Sequence, residues 1–329
     1  MRKNILFNLF LILMVSFSLT LLSGCQIVYE PTPDDGDKVE DTHVYSFLAP
    51  SGTPSLSLAT LFDNNSQVKY EIVAGANPLV AAITSGSHDF VVAPVNVGAK
   101  LYANNQKYKL VKTIVWGNFY IASLSEISSI NDLEGKTITA FSQNSSPDIM
   151  LQAVLDYYGL KDKVTVEYVD AVTTANSMMM SGQAEIIVSA EPSISVLKNK
   201  KTIYTIDLQA EWNKLTEGKS FPQAGLFVNV DLLAEDKKEN TLAFINKVLE
   251  KLEDHKTPAK LAAAAVKIDS SFETIGAANL EKAIPNCWIA LKTKAEEQAA
   301  ISYYAQKLID LGLGAQIGGS VPSEEFYLE

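Results

Sequence analysis

Three predicted strand-to-helix turns put a hydroxyl or amide residue directly before a proline, where binding chemistry can be expected. They are Thr53-Pro54, Asn77-Pro78 and Ser146-Pro147. Each pair predicts a helix with the polar side chain at its N-cap and proline at its first position. Such a helix start offers free main-chain N–H groups and a partial positive charge, which suit an anion or a carbonyl oxygen. Plain capping is the alternative explanation for each pair.

The basic residues limit how the protein could hold a bound anion. Arg2 is the only arginine in the 329-residue chain. It lies in a segment that we expect to be removed, so a bound anion cannot be held by a bidentate guanidinium group. Helix starts and lysines then remain as the anion-binding resources. Small residues flank the first and third helix starts, and we expect them to contact the ligand as well: Ser51, Gly52, Ser55 and Ser145. Gly52 would let the main chain approach a ligand closely.

Other polar and aromatic residues follow predicted strands or connect them. Trp116 and Asn118 lie where a first lobe should pass to a second, and either stacking on a flat ligand or core packing of Trp116 fits the pattern. Asn96 and Glu191 follow inner strands, and Gln223 lies on the return crossing. Glu191 is predicted either to accept a ligand N–H or to be a solvated loop carboxylate. All five are candidate ligand-binding residues.

No combination of residues predicts a reaction centre. His43, His88 and His255 have no metal-ligand spacing between them. The sequence has no Gly-x-Ser-x-Gly elbow, no Cys-x-x-Cys pair and no phosphate-binding Gly-Lys-Ser/Thr loop. We therefore predict a binding protein that is not an enzyme and has no cofactor, no catalytic residue and no metal site.

The N-terminus has the pattern of an export signal. Arg2 and Lys3 precede an uncharged run over 5–22, and Ser23 and Gly24 come directly before Cys25. An uncleaved membrane span is the alternative, but the small residues before Cys25 favour cleavage. We predict a signal peptide over 1–24, a lipidated Cys25 and a flexible acidic tether over 25–41. Cys287 then has no disulfide partner and is expected to be a buried thiol.

Charge and composition narrow the class of protein. The chain has 47% apolar and 20% charged residues, enough to bury the cores of two domains. Loss of Arg2 and Lys3 changes the formal charge from −11 to −13, with 25 basic against 38 acidic residues. A surface this acidic repels phosphate backbones, so we expect no nucleic-acid partner.

The elements that must position these residues alternate between strand and helix. Strands are predicted at 44–48, 69–73, 90–93, 110–115, 137–140, 164–168, 186–189, 202–206 and 226–228, and helices at 54–62, 78–84, 147–158 and 173–181. Four more helices are predicted at 241–255, 258–266, 273–283 and 294–311. This alternation favours βαβ units with mostly parallel sheets covered by helices.

A weak internal repeat divides the chain into two similar halves. Residues 85–92 resemble residues 181–188 at an offset of 96, and the Thr53-Pro54 helix start resembles Ser146-Pro147 at an offset of 93. Two near-equal offsets suggest two lobes built on one plan. In open α/β sheets ligands bind beyond the carboxyl ends of the strands, which places the candidate residues in one cleft.

Together these features resemble a known family. The resemblance rests on the Leu-Ser-Gly-Cys segment with its acidic tether, Gly52-Thr53-Pro54, the Ser-Gly repeats, Asp132-Leu133-Glu134-Gly135-Lys136, Ser145-Ser146-Pro147, Glu191-Pro192, Phe221-Pro222-Gln223 and the 317–327 ending. The chain resembles the type II periplasmic-binding-protein fold, and within it an ABC-transporter substrate-binding lipoprotein similar to the nitrate, sulfonate, taurine and thiamine-pyrimidine receptors. The missing arginine departs from amino-acid receptors of this fold, which usually clamp a carboxylate with one.

The resemblance implies an α/β protein of two lobes, each with a mixed, mostly parallel sheet flanked by helices, joined by two hinge crossovers. Lobe I is predicted over 42–118 and 224–329, and lobe II over 119–223. The implied partners are a small anionic or heterocyclic solute (a sulfonate, an oxyanion or a pyrimidine-like compound), the permease and ATPase of an ABC importer, and the membrane through the lipid anchor. We expect a monomer on the extracytoplasmic side of the cell membrane. An enzyme related to thiamine-pyrimidine synthase is the alternative.

Overall fold

Short apolar runs rich in Val, Ile, Phe and Tyr form ten strands, as their β propensity predicts. The computed structural model describes residues 41–329, and residues 42–329 form one structural unit. The strands are β1 Tyr45–Pro50, β2 Val68–Val73, β3 Phe90–Pro94, β4 Tyr108–Val115, β5 Phe119–Ser123, β6 Thr137–Phe141, β7 Thr165–Val169, β8 Ile186–Ala190, β9 Tyr204–Asp207 and β10 Ala224–Asn229.

The strands make two five-stranded sheets with the same plan. The first has the order β2-β1-β3-β10-β4 and the second β7-β6-β8-β5-β9. In each sheet the first three strands are parallel, and the fourth, β10 or β5, is antiparallel to both of its neighbours. The internal repeat seen in the sequence therefore corresponds to two sheets of one topology, with β3 equivalent to β8.

The two antiparallel strands follow the two passages of the chain between the sheets. The chain leaves β4 at Val115 and enters the second sheet at β5, with three residues between the two strands. It returns after β9 and joins the first sheet as β10, beginning at Ala224. These passages agree with two crossovers, and the lobe boundaries at 118/119 and 223/224 remain a prediction.

Thirteen helices of the described residues flank the sheets. They are α1 Thr53–Leu56, α2 Ala59–Phe62, α3 Asn77–Ser85, α4 Val95–Asn105, α5 Ser146–Tyr157, α6 Val172–Ser181, α7 Ser193–Lys200, α8 Leu208–Leu215, α9 Lys238–Leu252, α10 Pro258–Ile268, α11 Ser270–Ile275, α12 Ala277–Ala283 and α13 Lys294–Asp310. None of these helices combines the length and the apolar character needed to cross a membrane.

Several predicted elements differ from those observed. The predicted helix over 54–62 is two helices, because Ser57 ends α1 and its hydroxyl donates to the Pro54 carbonyl. Gly276, at φ +83°, divides the predicted helix over 273–283 into α11 and α12. Helices α4, α7 and α8 and strand β5 were not predicted.

Two aromatic clusters show where the core lies. Phe47, Phe90 and Phe244 pack face to face or tilted between the first sheet and α9. Trp212 on α8, Phe221 on the return passage and Tyr304 on α13 form a second cluster with centroids 4.9–5.9 Å apart. Helix α13 therefore packs against the segment that connects the sheets. The predicted signal peptide, Cys25 and the tether up to residue 40 lie outside the described residues.

Candidate functional site

A cleft of about 900 Å³ lies among the turns that follow the parallel strands of both sheets. Its wall includes residues 50–54 after β1, 73–76 after β2, 170–173 after β7 and 190–193 after β8. Residues 142 and 145–147, after β6, and Pro94 at the end of β3 also line it. The carboxyl ends of the strands in the two sheets thus surround one space, which is where open α/β sheets bind ligands.

Nine of the thirteen predicted ligand-binding residues line this cleft. They are Ser51, Gly52, Thr53, Pro54, Asn118, Ser145, Ser146, Glu191 and Gln223. Gly52 has φ +102°, a conformation that favours glycine, and a Cβ added to it would meet no atom within 4 Å. The main chain at Gly52 therefore borders open space in the cleft.

Thr53, Asn118 and Glu191 form a hydrogen-bonded group at the inner wall of the cleft. The Thr53 hydroxyl donates to the main-chain carbonyl of Glu191 at 2.8 Å. The Asn118 side-chain amide donates to the Thr53 oxygen, also at 2.8 Å. The main-chain N–H of Glu191 in turn donates to the Asn118 carbonyl at 3.1 Å. These hydrogen bonds join the turn after β1 to the turn after β8 through the first crossover.

The Glu191 side chain is buried in this wall. One carboxylate oxygen, Oε1, accepts from the Ser195 hydroxyl at 2.9 Å. The other, Oε2, has no partner among the described residues. Burial raises the pKa of Glu191, and hydrogen bonds from Ser195 and the charge of Lys198 oppose that rise. Of the two sequence alternatives, the solvated loop carboxylate is therefore wrong.

A second group of hydrogen bonds joins the two sides of the cleft. The Ser146 hydroxyl lies 3.2 Å from the Gln223 carbonyl and 3.4 Å from the Asn96 side-chain oxygen. The Asn96 amide donates to the Gln316 carbonyl at 3.3 Å. Gln223 lines the cleft, and its Oε1 has no partner among the described residues.

The predicted N-caps need correction. The N-cap residues are Gly52, Ala76 and Ser145, one position earlier than expected, and none of these three caps with a side chain. Thr53 and Ser146 do not cap because their hydroxyls bond to main-chain carbonyls across the cleft. These hydroxyls thus hold the two sides together, a role that spacing alone could not reveal.

Four predicted residues do not lie on the cleft wall. Ser55 is fully buried, and its hydroxyl donates to the Gly52 carbonyl at 3.1 Å. Asn77 is exposed, because the helix begins earlier and turns this side chain outward. Asn96 lies behind Ser146. Trp116 is a core residue whose indole N–H donates to the Ala290 carbonyl at 3.0 Å, with the Lys292 ammonium 4.7 Å from its ring.

The cleft also includes residues that the sequence analysis missed. On the side of the second sheet these include residues 170–173 and, on α6 and α7, Asn176, Ser177, Met180 and Lys200. The strand-end rule applied to β7 would have identified 170–173. Helix α11 adds Ser271, Phe272, Thr274 and Ile275, and no local signal connects it with wall residues that all lie more than 40 positions earlier in the chain.

The electrostatic character of the wall is mixed. Helices α5, α6 and α7 begin at the cleft, and none has a side-chain cap. Their N-termini favour negative or carbonyl groups. Asp148, in the first turn of α5, already accepts from the Asn144 N–H and the Tyr168 hydroxyl, both at 2.8 Å. The charged residues on the described wall are Asp170, Glu191 and Lys200.

Other candidate chemistry lies outside the cleft. The three histidines, all of them described residues, are not part of its wall. Within residues 41–329 no group of three or more His, Cys, Asp or Glu side chains is arranged to hold a metal. Cys287 is a buried free thiol whose pKa burial raises, as expected for a structural cysteine.

The chain matches one family model. That model, described as NMT1/THI5 like, matches residues 62–251, more than half of the chain. No curated protein matches the chain.

Solved structures share the fold. An ABC transporter protein from Parabacteroides distasonis is 19% identical, with a TM-score of 0.68 over 87% of this chain and 99% of that one. The periplasmic aliphatic sulphonate binding protein SsuA from Escherichia coli is 15% identical, with a TM-score of 0.61 over 87% and 93%. The alkanesulfonate-binding protein SsuA from Xanthomonas axonopodis pv. citri, bound to MOPS, is 18% identical, with a TM-score of 0.59 over 82% and 93%. At these identities the likeness establishes a common two-lobed periplasmic-binding-protein fold.

Proposed function

The chain belongs to the NMT1/THI5-like family, and from that premise we propose that it is an extracytoplasmic solute-binding protein of an ABC importer. It captures a small organic solute in the cleft and presents it to the permease. The observation that carries this proposal is the cleft itself, a space of about 900 Å³ between the carboxyl ends of two sheets of one topology. Pockets of this volume suit small organic ligands.

The hydrogen bonds across the cleft support a closing motion. Thr53 bonds to Glu191, and Ser146 bonds to the Gln223 carbonyl, so the two sides already contact each other at two points. A solute that contacts both sides favours the closed arrangement in proportion to its extra contacts there. Hinge closure of this kind converts binding into a shape that a permease can recognise.

The chemistry of the wall limits the solute. Serine hydroxyls, uncapped helix starts and Lys200 can hold an acidic or carbonyl group without arginine. Two of the structural neighbours are sulfonate-binding proteins by name. We propose a small anionic or heterocyclic organic solute for this chain, such as a sulfonate, an oxyanion or a pyrimidine-like compound.

The N-terminal sequence adds a location to the proposal. We propose cleavage before Cys25, lipidation of its sulfur, and a tether that holds a monomeric receptor at the extracytoplasmic membrane surface. Labelling with a radioactive fatty acid tests this directly. Incorporation that is lost in Cys25→Ser is expected, and unchanged incorporation in that variant contradicts lipidation at Cys25.

Retention of small molecules tests the binding function. The full-length protein in detergent is exposed to a total small-molecule extract of bacterial cells, freed of unbound compounds and analysed by native mass spectrometry. Ser177→Trp fills the cleft from α6, whereas Thr174→Trp places the same side chain on an exposed position of α6 outside the cleft wall. We expect retention by the wild type and Thr174→Trp and loss in Ser177→Trp. A wild type that retains nothing contradicts the proposed function.

The enzyme alternative makes a different prediction in the same samples. It needs a reactive lysine and a histidine at the cleft, and Lys200 is the lysine on the described wall. A cofactor absorbance band in the purified protein would favour the enzyme, and a retained solute recovered unchanged favours the receptor.

A further inference from the structure

The inner wall of the cleft contains hydrogen-bond acceptors that lack donors. We propose that Asn118 Oδ1 and Glu191 Oε2 bind N–H groups of the solute, so that the solute carries an amino, amide or ring N–H at its most deeply buried end. This inference rests on the proposed function, because it names the class of solute for the same cleft. Oxyanions and sulfonates without an N–H group are excluded by it.

The orientation of the Asn118 amide follows from its partners. The Glu191 main-chain carbonyl can only accept a hydrogen bond, so the Thr53 hydroxyl must donate its one proton to it. The Thr53 oxygen is then an acceptor toward Asn118, and the amide must present its NH₂ group there. Asn118 Oδ1 therefore faces away from Thr53 as an acceptor, and it is buried without a partner among the described residues.

Glu191 provides the second acceptor from the same point of the wall. The main-chain N–H of Glu191 donates to the main-chain carbonyl of Asn118, so the backbones that carry the two side chains are joined by a hydrogen bond. Ser195 donates to Oε1, and Oε2 has no partner within residues 41–329. A buried carboxylate oxygen without a donor costs free energy, and an N–H donor from the solute removes that cost. Both side chains are more than nine-tenths buried and belong to residues that line the cleft.

The same geometry rejects a bare oxyanion at this position. The oxygens of the oxyanion would face Asn118 Oδ1 and Glu191 Oε2 with no proton between them. Such a contact between acceptors is repulsive in a buried site. The helix starts of α5 and α6, at residues 145–147 and 171–173, lie elsewhere on the wall and favour a carbonyl or acidic group. A solute with an N–H group at one end and a carbonyl or acidic group at the other fits both parts of the cleft.

Glu191→Gln tests the inference because it replaces one hydrogen-bond acceptor, Oε2, with a hydrogen-bond donor. Ser195 donates to Oε1, so glutamine is expected to keep its oxygen there and to place its NH₂ group where Oε2 was. A solute N–H that needs an acceptor is then opposed by a donor. If the solute instead accepts from a protonated Glu191, glutamine preserves the interaction. Glu185→Gln is the matched control, because exposed Glu185 also accepts from a serine hydroxyl, that of Ser125, outside the cleft.

The full-length variants are exposed to the bacterial small-molecule extract, and the retained compounds are identified by mass spectrometry. We expect the wild type and Glu185→Gln to retain a compound with at least one N–H group, and Glu191→Gln to retain at least tenfold less of it. A retained compound without N–H, or equal retention by Glu191→Gln, overturns the inference and leaves the proposed function standing. Retention of nothing by the wild type overturns both.

A second measurement uses only the wild type, so it tests the inference even if Glu191→Gln misfolds. The retained compound is titrated into the wild type by calorimetry at a series of pH values, in two buffers of different ionisation enthalpy. The other titratable groups that act on or beside Glu191 are Lys198, Tyr120 and Cys287. A donor to the carboxylate favours its ionised form, so binding should release protons. Proton uptake on binding contradicts the inference.

Discussion

The hydroxyl of Thr53 donates to the main-chain carbonyl of Glu191 at 2.8 Å, although the two residues are 138 positions apart in the chain. One residue follows a strand of the first sheet and the other a strand of the second. A single hydrogen bond thus connects the two sides of the cleft at its inner wall.

Removing the Thr53 hydroxyl should destabilise the protein. Thr53→Val keeps the shape but leaves the Asn118 amide and the Glu191 carbonyl without their partner. We expect the free energy of unfolding to fall by about 1–3 kcal/mol, because buried polar groups then lose a hydrogen bond. Thr53→Ser keeps the hydroxyl and should cost less. Urea unfolding followed by circular dichroism measures both, and equal stability of Thr53→Val and wild type contradicts the assigned contact.

The stability of the fold should depend on the ionisation of Glu191. Burial raises its pKa in the folded state above the unfolded value, so its contribution is most favourable at low pH and is lost as the pH rises through the folded pKa. Glu191→Gln removes this loss. The thermal midpoint of Glu191→Gln minus that of the wild type should increase from pH 4.5 to pH 7.5, since the other buried carboxyl groups are common to both. A constant difference would contradict the raised pKa.

The second crossover depends on the ring of Phe221. This ring is fully buried and contacts Trp212 of α8 and Tyr304 of α13 at centroid distances of 4.9 Å. Phe221→Ala should lower the free energy of unfolding by about 3–5 kcal/mol through cavity formation. Phe221→Leu fills more of the space and should cost less. Chemical unfolding gives both values, and a cost below about 1 kcal/mol for alanine would show that the cluster does not stabilise the crossover.

Cys287 should be unreactive in the folded protein. Its side chain is fully buried, and burial raises the pKa of the thiol, which suppresses the reactive thiolate. Treatment with iodoacetamide at pH 8 should leave the peptide that contains Cys287 unmodified, and the same treatment in 8 M urea should modify it. Peptide mass spectrometry separates this site from Cys25. Rapid native modification would contradict the buried position.

Strand and helix alternation and the internal repeat predicted two α/β lobes of one plan, and the family resemblance implied the mixed sheets and the two crossovers. The repeat of residues 85–92 at 181–188 correctly identified β3 and β8 as equivalent strands. Strand β5 was missed because Phe119 and Tyr120 start a short buried run directly after a turn, and aromatic residues there also suit a ligand contact. Local sequence does not distinguish these two roles, since the pairing of β5 with β8 depends on residues some 70 positions away.

The candidate site was predicted only in part, because contacts between distant parts of the chain also decide which residues form it. The rule that ligands bind at strand ends identified Thr53, Ser146 and Glu191. The helix-cap role predicted for Thr53 and Ser146 was wrong, because the sequence does not reveal a carbonyl across the cleft that competes for each hydroxyl. The place of helix α11 on the wall was not predicted, since it depends on how the C-terminal helices pack on the first sheet. Tertiary contacts of this kind have no local signal.

Hydrogen exchange of the full-length protein tests the central claim most directly. The protein saturated with the solute that it retains from the cell extract is compared with the same protein stripped of it by partial unfolding and dialysis. The account predicts slower exchange on both sides of the cleft, at residues 51–56 and 73–79 and at residues 145–149, 171–175 and 191–195. Slower exchange on one side alone, or no change at any of these segments, would contradict capture of a solute between the two sheets.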